Sequence, residues 1–346
     1  MAEHFWLGML IVFGAGLLNG SFTLPMKYSR AWAWENIWSV YAVVALLVLP
    51  WMLAGGLVPN LAQAYGSLEW RAFLHPALFG FLWGIAQMTF GLSIRAVGMA
   101  VAFAIVSGLV CLTGSLIPIL AFNPSDLFRP VGLLMLVSMP VLLFGLALYA
   151  KAGTRRQKEQ SGSQPGAPAA GMSFKAGLAL CLFTGVLGSA WNLGFTFSGD
   201  TLRRTIQFGA SPVTATYAAW AVVLAGGFLP NFLYPVYLLS RRQSWRSFGQ
   251  GNWLKELGLG VAMALLWLTA IVSYGIGATY VGKYGTSLGF TLYIAATILS
   301  SSTLGIATKE WKGTSSGTRK LLAAGVAAIL VSVLILNLGG LFPSSR

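Results

Sequence analysis

Ten long apolar runs alternate with short polar segments along this chain. They cover residues 5–26, 36–58, 73–94, 98–121, 130–150, 174–198, 212–239, 252–280, 285–308 and 318–340. About 20 mostly apolar residues, wound as a helix, cross a hydrocarbon layer about 30 Å thick. The pattern therefore predicts ten membrane-spanning helices. The third and fourth runs are joined almost without a loop at residues 95–98, and the eighth and ninth as tightly at 280–283. The longest polar stretch, residues 151–173, has a basic head followed by Gly, Pro, Ser and Gln, the composition of a flexible linker. It divides the chain into a first five-helix unit, residues 1–150, and a second, residues 174–346.

The two units share short matches. A shift of 184 residues lays Leu82 and Trp83 on Leu266 and Trp267, Gly91 on Gly275 and Gly98 on Gly282, with Phe90 and Tyr274 paired as aromatics. A shift of 173 lays Asn19, Phe22 and Thr23 on Asn192, Phe195 and Thr196. Five is an odd number, so two related five-helix units must lie in opposite orientations. The expectation is an all-α polytopic membrane protein of ten transmembrane helices arranged as two inverted repeats, an organisation found in secondary transporters with a midplane site and alternating access.

Composition agrees. Hydrophobic residues make up 56% and charged residues 9%, against about 25% charged in soluble proteins. The net charge of +14 does not point to nucleic acid, because the cations sit in loops between apolar runs. Of the 22 Lys and Arg, 16 fall in the loops on the linker side and 6 on the other, which predicts a cytoplasmic linker and both termini outside. Residues 1–4 lack the basic start of a cleavable leader, and the first run is long enough to span. Cys111 and Cys181 fall inside predicted spans and imply no disulfide framework. No cofactor loop or metal-ligand set is present. The two histidines, His4 and His75, stand at helix ends without an acid beside them in a span, so the chain does not read as an enzyme.

Several stretches carry a resemblance to a known family: Trp34-Glu35 with Ile37-Trp38-Ser39-Val40, Leu49-Pro50-Trp51, Trp83-Gly84-Ile85, Gly91-Leu92, Arg95 with Gly98-Met99, and Lys309-Glu310-Trp311. In these the chain resembles the L-rhamnose–proton symporters of the drug/metabolite transporter superfamily. The resemblance implies a ten-helix carrier of the bacterial inner membrane that takes up a small deoxysugar with a proton. Its partners would be the sugar, the proton and the lipid bilayer. The second reading is a metabolite or drug exporter or exchanger of the same superfamily, not coupled to protons.

None of the eight acids lies in the middle of a predicted span, where ionisable groups usually mark proton relays. A coupling carboxylate must then sit near a helix end, and Glu35, Asp200 and Glu310 are the candidates, with His75 behind them. Glu35 has two readings. One is a first-turn acid stabilised by the helix dipole among tryptophans of an interfacial belt. The other is a carboxylate in a desolvated aromatic mouth that takes up a proton. Asp200 precedes Arg203 and Arg204 and reads as half of a loop ion pair. Arg95, in its near-loopless corner, is a positive-inside anchor or a gate residue. For sugar recognition, Trp83, Gln87 and Phe90 share one face of the third helix. Trp267 and Tyr274 stand at related places in the eighth, and Asn19 and Asn192 add amides from the first and sixth. Gly16 with Gly20 and Gly80 with Gly84 are small-residue pairs that let helices approach.

Overall fold

A computed structural model describes residues 2–97, 99–161, 174–309 and 311–338. All ordered secondary structure among them is helical, and ten helical spans are long and apolar enough to cross a membrane. They are α1 (His4–Tyr28), α2 (Trp34–Leu57), α3 (Arg71–Ile94), α4 (Ile105–Phe122), α5 (Gly132–Gln160), α6 (Lys175–Gln207), α7 (Pro212–Arg241), α8 (Trp253–Tyr284), α9 (Leu288–Ala307) and α10 (Ser316–Leu336). Large apolar side chains such as Leu10, Phe144, Leu233 and Leu334 point outward, as lipid-facing surfaces require. The predicted α8–α9 corner sits slightly later than 280–283: the helix runs to Val281, and a 3-10 turn over Gly282–Tyr284 leads to the next helix at Leu288. At the α8–α9 corner, Gly282 takes φ +75, a left-handed conformation that glycine adopts without penalty.

Two details depart from the hydropathy reading. The polar segment after residue 198, which reads as a loop, is the helix Gly199–Gln207. Its sequence is too polar to register as apolar, yet Thr201 and Thr205 are buried along one face. In α2, Pro50 supplies no N–H to the preceding turn, and the ladder widens into a π-helical stretch over Val43–Val48.

The spans pack in a definite set of pairs. α1 lies on α8 and α9, α6 on α3 and α4, α3 on α7, and α2 on α8. α5 pairs with α10, α2 with α7 and α4 with α9. The α3–α7 crossing depends on glycine. A Cβ on Gly80 would overlap the carbonyl of Val223, one on Gly84 would press on Gly227 and Pro230, and one on Gly226 would overlap Ala77. Gly16 and Gly20 play the same part where α1 meets Tyr293, Thr297 and Ser300 of α9. The obstruction at Gly80 is backbone and cannot turn aside. Gly80→Ala should therefore cost at least the roughly 1–3 kcal/mol of an overpacked core, read as a lowered thermal midpoint in detergent. Gly55→Ala, with nothing within 4 Å of the added carbon, should leave that midpoint unchanged.

Candidate functional site

The spans enclose a cavity of about 490 Å³, within the range of about 300–1,000 Å³ usual for small-molecule sites. α1, α3, α4, α6, α8 and α9 all contribute to its wall. Its polar lining comes from Asn19 and Thr23 of α1, Gln87 of α3, Ser107 of α4, Thr184 of α6, and Thr297 and Ser301 of α9. Interleaved with these are the aromatic side chains Phe22, Trp83, Phe90, Trp191, Trp267 and Tyr293. No charged side chain among the described residues lines the cavity.

Local structure explains how these groups converge. Trp83, Gln87 and Phe90 occupy one stripe of α3 and all three reach the cavity. Trp83 and Trp267 stack on each other, centroids 5.5 Å apart and planes 14° from parallel. Asn19 donates to the Thr297 hydroxyl at 3.2 Å. Thr184 donates to Thr89 at 2.9 Å and lies 3.3 Å from the Ser93 hydroxyl, a small hydroxyl chain running back from the wall. α6 is interrupted at Ser189, between the helices Phe174–Gly188 and Ala190–Thr196, and both Gly188 and Trp191 face the cavity beside the break. Discontinuous spans at a cavity are where transporters commonly place their ligands.

Asn192 and Tyr274 stand apart from the cavity wall. Asn192 is fully buried and donates both amide hydrogens, to the carbonyls of Gly114 (2.8 Å) and Thr286 (2.9 Å), while its oxygen accepts from the Tyr274 hydroxyl. Packed around this node are Trp191, Phe195, Trp220, Phe290 and Tyr293. The node lies on the side of the cavity away from the linker.

The carboxylates are distributed at the span ends. Glu35 opens α2 and is 1% exposed; Arg242 donates to it at 3.1 Å and the Ser244 hydroxyl at 2.8 Å, both from the connection that follows α7. It is thus a first-turn acid and also a desolvated one. The surrounding tryptophans are packed rather than belt-like, since Trp32 and Trp38 are buried and Trp34 stacks on Trp38. Rings continue from this turn to the cavity, Trp38 to Tyr41 at 5.0 Å and Tyr41 to Trp267 at 5.9 Å. Asp200 pairs with Arg203 as expected, but from a helical position, and it is 67% exposed. It borders an open cleft with Glu69 and His75, on the face opposite the linker. Glu310 lies outside the described residues. So does the side chain of Arg95, whose backbone belongs to the last turns of the helix Arg71–Val97.

Two further buried acids escape a reading based on hydropathy. Glu256, at the start of α8, accepts from Ser29 Oγ at 2.5 Å and from the backbone N–H groups of Arg30 and Ala31. Asp126, between α4 and α5, is 1% exposed and pairs with Arg129 at 3.1 Å and with Lys283; the Tyr284 hydroxyl also donates to it at 3.2 Å. The hydrogen bond from Lys283 holds the Asp126 carboxyl below the usual carboxylate range, with Tyr284 and Arg129 adding to it against the opposing effect of burial. A loop position hid Asp126, although the shift that pairs Trp83 with Trp267 also lays Asp126 on Glu310.

Ten helical spans around an uncharged, aromatic-rich cavity describe a multi-pass membrane protein of the transporter class. More narrowly, the chain belongs to the L-rhamnose-proton symport protein (RhaT) family, whose profile it matches over residues 1–342. It is similar to the L-rhamnose-proton symporters of Salmonella paratyphi B and Salmonella newport. To each it is 25% identical over 325 residues, which cover 92% of this chain and 93% of the relative.

Proposed function

We propose that this protein takes up a small neutral sugar of the L-rhamnose type together with a proton, by alternating access across a bacterial inner membrane. The observation that carries the reading is the cavity. A sugar without charge is held by hydroxyl and amide groups on its own hydroxyls and by aromatic faces against its C–H surface, and this wall offers both with no charged side chain among the described lining residues. Asn19, Trp83, Gln87, Phe90 and Trp267 are the proposed ligand contacts, with Trp191 and Tyr293 beside them. Asn192 and Tyr274 join them when the node they form is opened. Family membership and the names of the Salmonella relatives favour the same substrate class.

Support for two inverted repeats comes from the helix pairs. Exchanging each span with the one five places along turns α1–α8 into α6–α3, α1–α9 into α6–α4, and α3–α7 into α8–α2, all of which are present. α5–α10, α2–α7 and α4–α9 map onto themselves. The excess of Lys and Arg on the linker side supports a cytoplasmic linker and outside termini. In that orientation the cavity lies in the cytoplasmic half, as in an inward-facing carrier.

The test is uptake of labelled L-rhamnose into proteoliposomes with and without an imposed inward proton gradient. Accumulation above equilibrium only with the gradient is the expected result. Uptake indifferent to the gradient would remove symport and leave exchange, and absence of any sugar uptake would favour an exporter of another metabolite.

A further inference from the structure

A second, smaller void of about 340 Å³ lies on the face opposite the linker, bordered by Asn123, Phe195, Thr196, Thr279, Lys283 and Thr286. It shares no lining residue with the central cavity. Between the two stands the Asn192 node, which ties α6 to α4 through Gly114, to α8 through Tyr274 and to the α8–α9 corner through Thr286. Above the void the same corner is tied a second time, by Lys283 and Tyr284 to Asp126 of the α4–α5 connection.

The repeat matches give this second void a meaning. Phe22 and Thr23 line the central cavity, and the residues laid on them by the 173-residue shift, Phe195 and Thr196, line the void. Thus the same pair of side chains faces space in both halves, on opposite sides of one septum. This is the geometry of a single pathway, wide on the linker side and pinched on the other.

We infer that Asp126 and Lys283 latch the gate on the face opposite the linker, with Asn192 and Tyr274 as the septum beneath it, and that the gate opens by separating the α8–α9 corner from the α4–α5 connection. The inference rests on the alternating-access reading and adds its positioning residues. Asp126 is suited to a latch because burial removes the water that would otherwise screen its partners. Lys283 is partly exposed and Arg129 about half exposed, so both cations keep a path to solvent when the pair parts. The depressed carboxyl pKa keeps Asp126 ionised through neutral and mildly acidic conditions, so the latch is a charge contact and not a proton carrier.

The experiment measures access directly. In a background with Cys111→Ala and Cys181→Ser, Thr279→Cys places a thiol in the smaller void, and Ser301→Cys places one in the central cavity. A membrane-impermeant maleimide is applied from each face of oriented vesicles. Asp126→Asn or Lys283→Gln should raise the labelling rate at position 279 from the face opposite the linker by about tenfold, and lower labelling at position 301 from the linker face. The double variant should label no faster than either single one, as expected for one shared contact. A variant that merely misfolds would raise labelling at both positions, and that outcome overturns the proposal, as does an unchanged rate at 279 in both single variants. The readout needs neither sugar nor proton. A protein that failed to carry sugar would overturn the transport reading without touching the latch.

Discussion

Glu35→Gln is expected to abolish gradient-driven accumulation of sugar while leaving sugar counterflow near the wild-type rate. The cavity has no carboxylate among its described lining residues. A proton that moves with the sugar must therefore bind elsewhere, on a buried acid connected to the moving parts. Asp126 is held by two cations on the face opposite the linker, and Glu256 by two backbone N–H groups that cannot swing away. Glu35 differs. Its two partners are side chains from one stretch of chain, the α7–α8 connection just past Arg241, so a small movement of that connection against α2 strips both donors from a buried oxygen pair. That would leave a buried carboxylate without donors at the end of a span, the kind of group that marks a proton path. Gln has the same shape, accepts from Ser244 and leaves Arg242, which is 52% exposed, to water. Accumulation and counterflow in the same proteoliposomes separate the two functions. Unaltered accumulation would return Glu35 to a purely structural tie. Arg242→Ala provides the contrast, since it leaves the buried carboxylate with Ser244 alone; with Arg242 half exposed to solvent, the cost should be about 1–3 kcal/mol, visible as a lower thermal midpoint.

The ten spans could be read from hydropathy because a bilayer imposes one requirement on every spanning segment, a helix of about 20 apolar residues with its backbone bonds satisfied internally. The same rule hid the helix Gly199–Gln207, which is polar, and the carboxylate ties, which lie in connections where hydropathy has no period to follow. The α3 stripe was legible because side-chain spacing alone brings Trp83, Gln87 and Phe90 to one face. Whether that face meets a cavity or another helix is decided by packing, and here Gly80 and Gly84 draw α7 onto the same face one or two turns before Gln87, which reaches the cavity. Asn192 shows the converse. It matches Asn19 in sequence, yet Asn19 faces the cavity and Asn192 is committed to three protein partners. Two copies of one pattern in a single chain need not share a state, and an alternating-access cycle would require that they differ at any moment.

Gln87→Ala is expected to weaken sugar binding by about tenfold or more with folding intact. Among the described residues Gln87 makes no hydrogen bond to the protein, although it projects into the cavity from between two aromatic side chains of its own helix. An amide in that setting has two donors and an acceptor to offer, a set that matches vicinal hydroxyls of a pyranose. Losing one such contact costs the sugar about 1–3 kcal/mol when its hydroxyl is left desolvated without a partner, and every 1.4 kcal/mol is a factor of about 10 in affinity. Stability should barely change, because no protein partner is orphaned and the neighbouring Trp83–Trp267 stack does not depend on the amide. Binding measured by quenching of the cavity tryptophans, alongside a thermal midpoint for each variant, makes the comparison. Gln87→Glu extends it. The shape is kept while an ionised group enters a cavity with no cation to meet it, so affinity for a neutral sugar should fall at neutral pH and recover as the carboxylate is protonated. An affinity unchanged in Gln87→Ala would move the site off the α3 face and toward Trp191 and Tyr293.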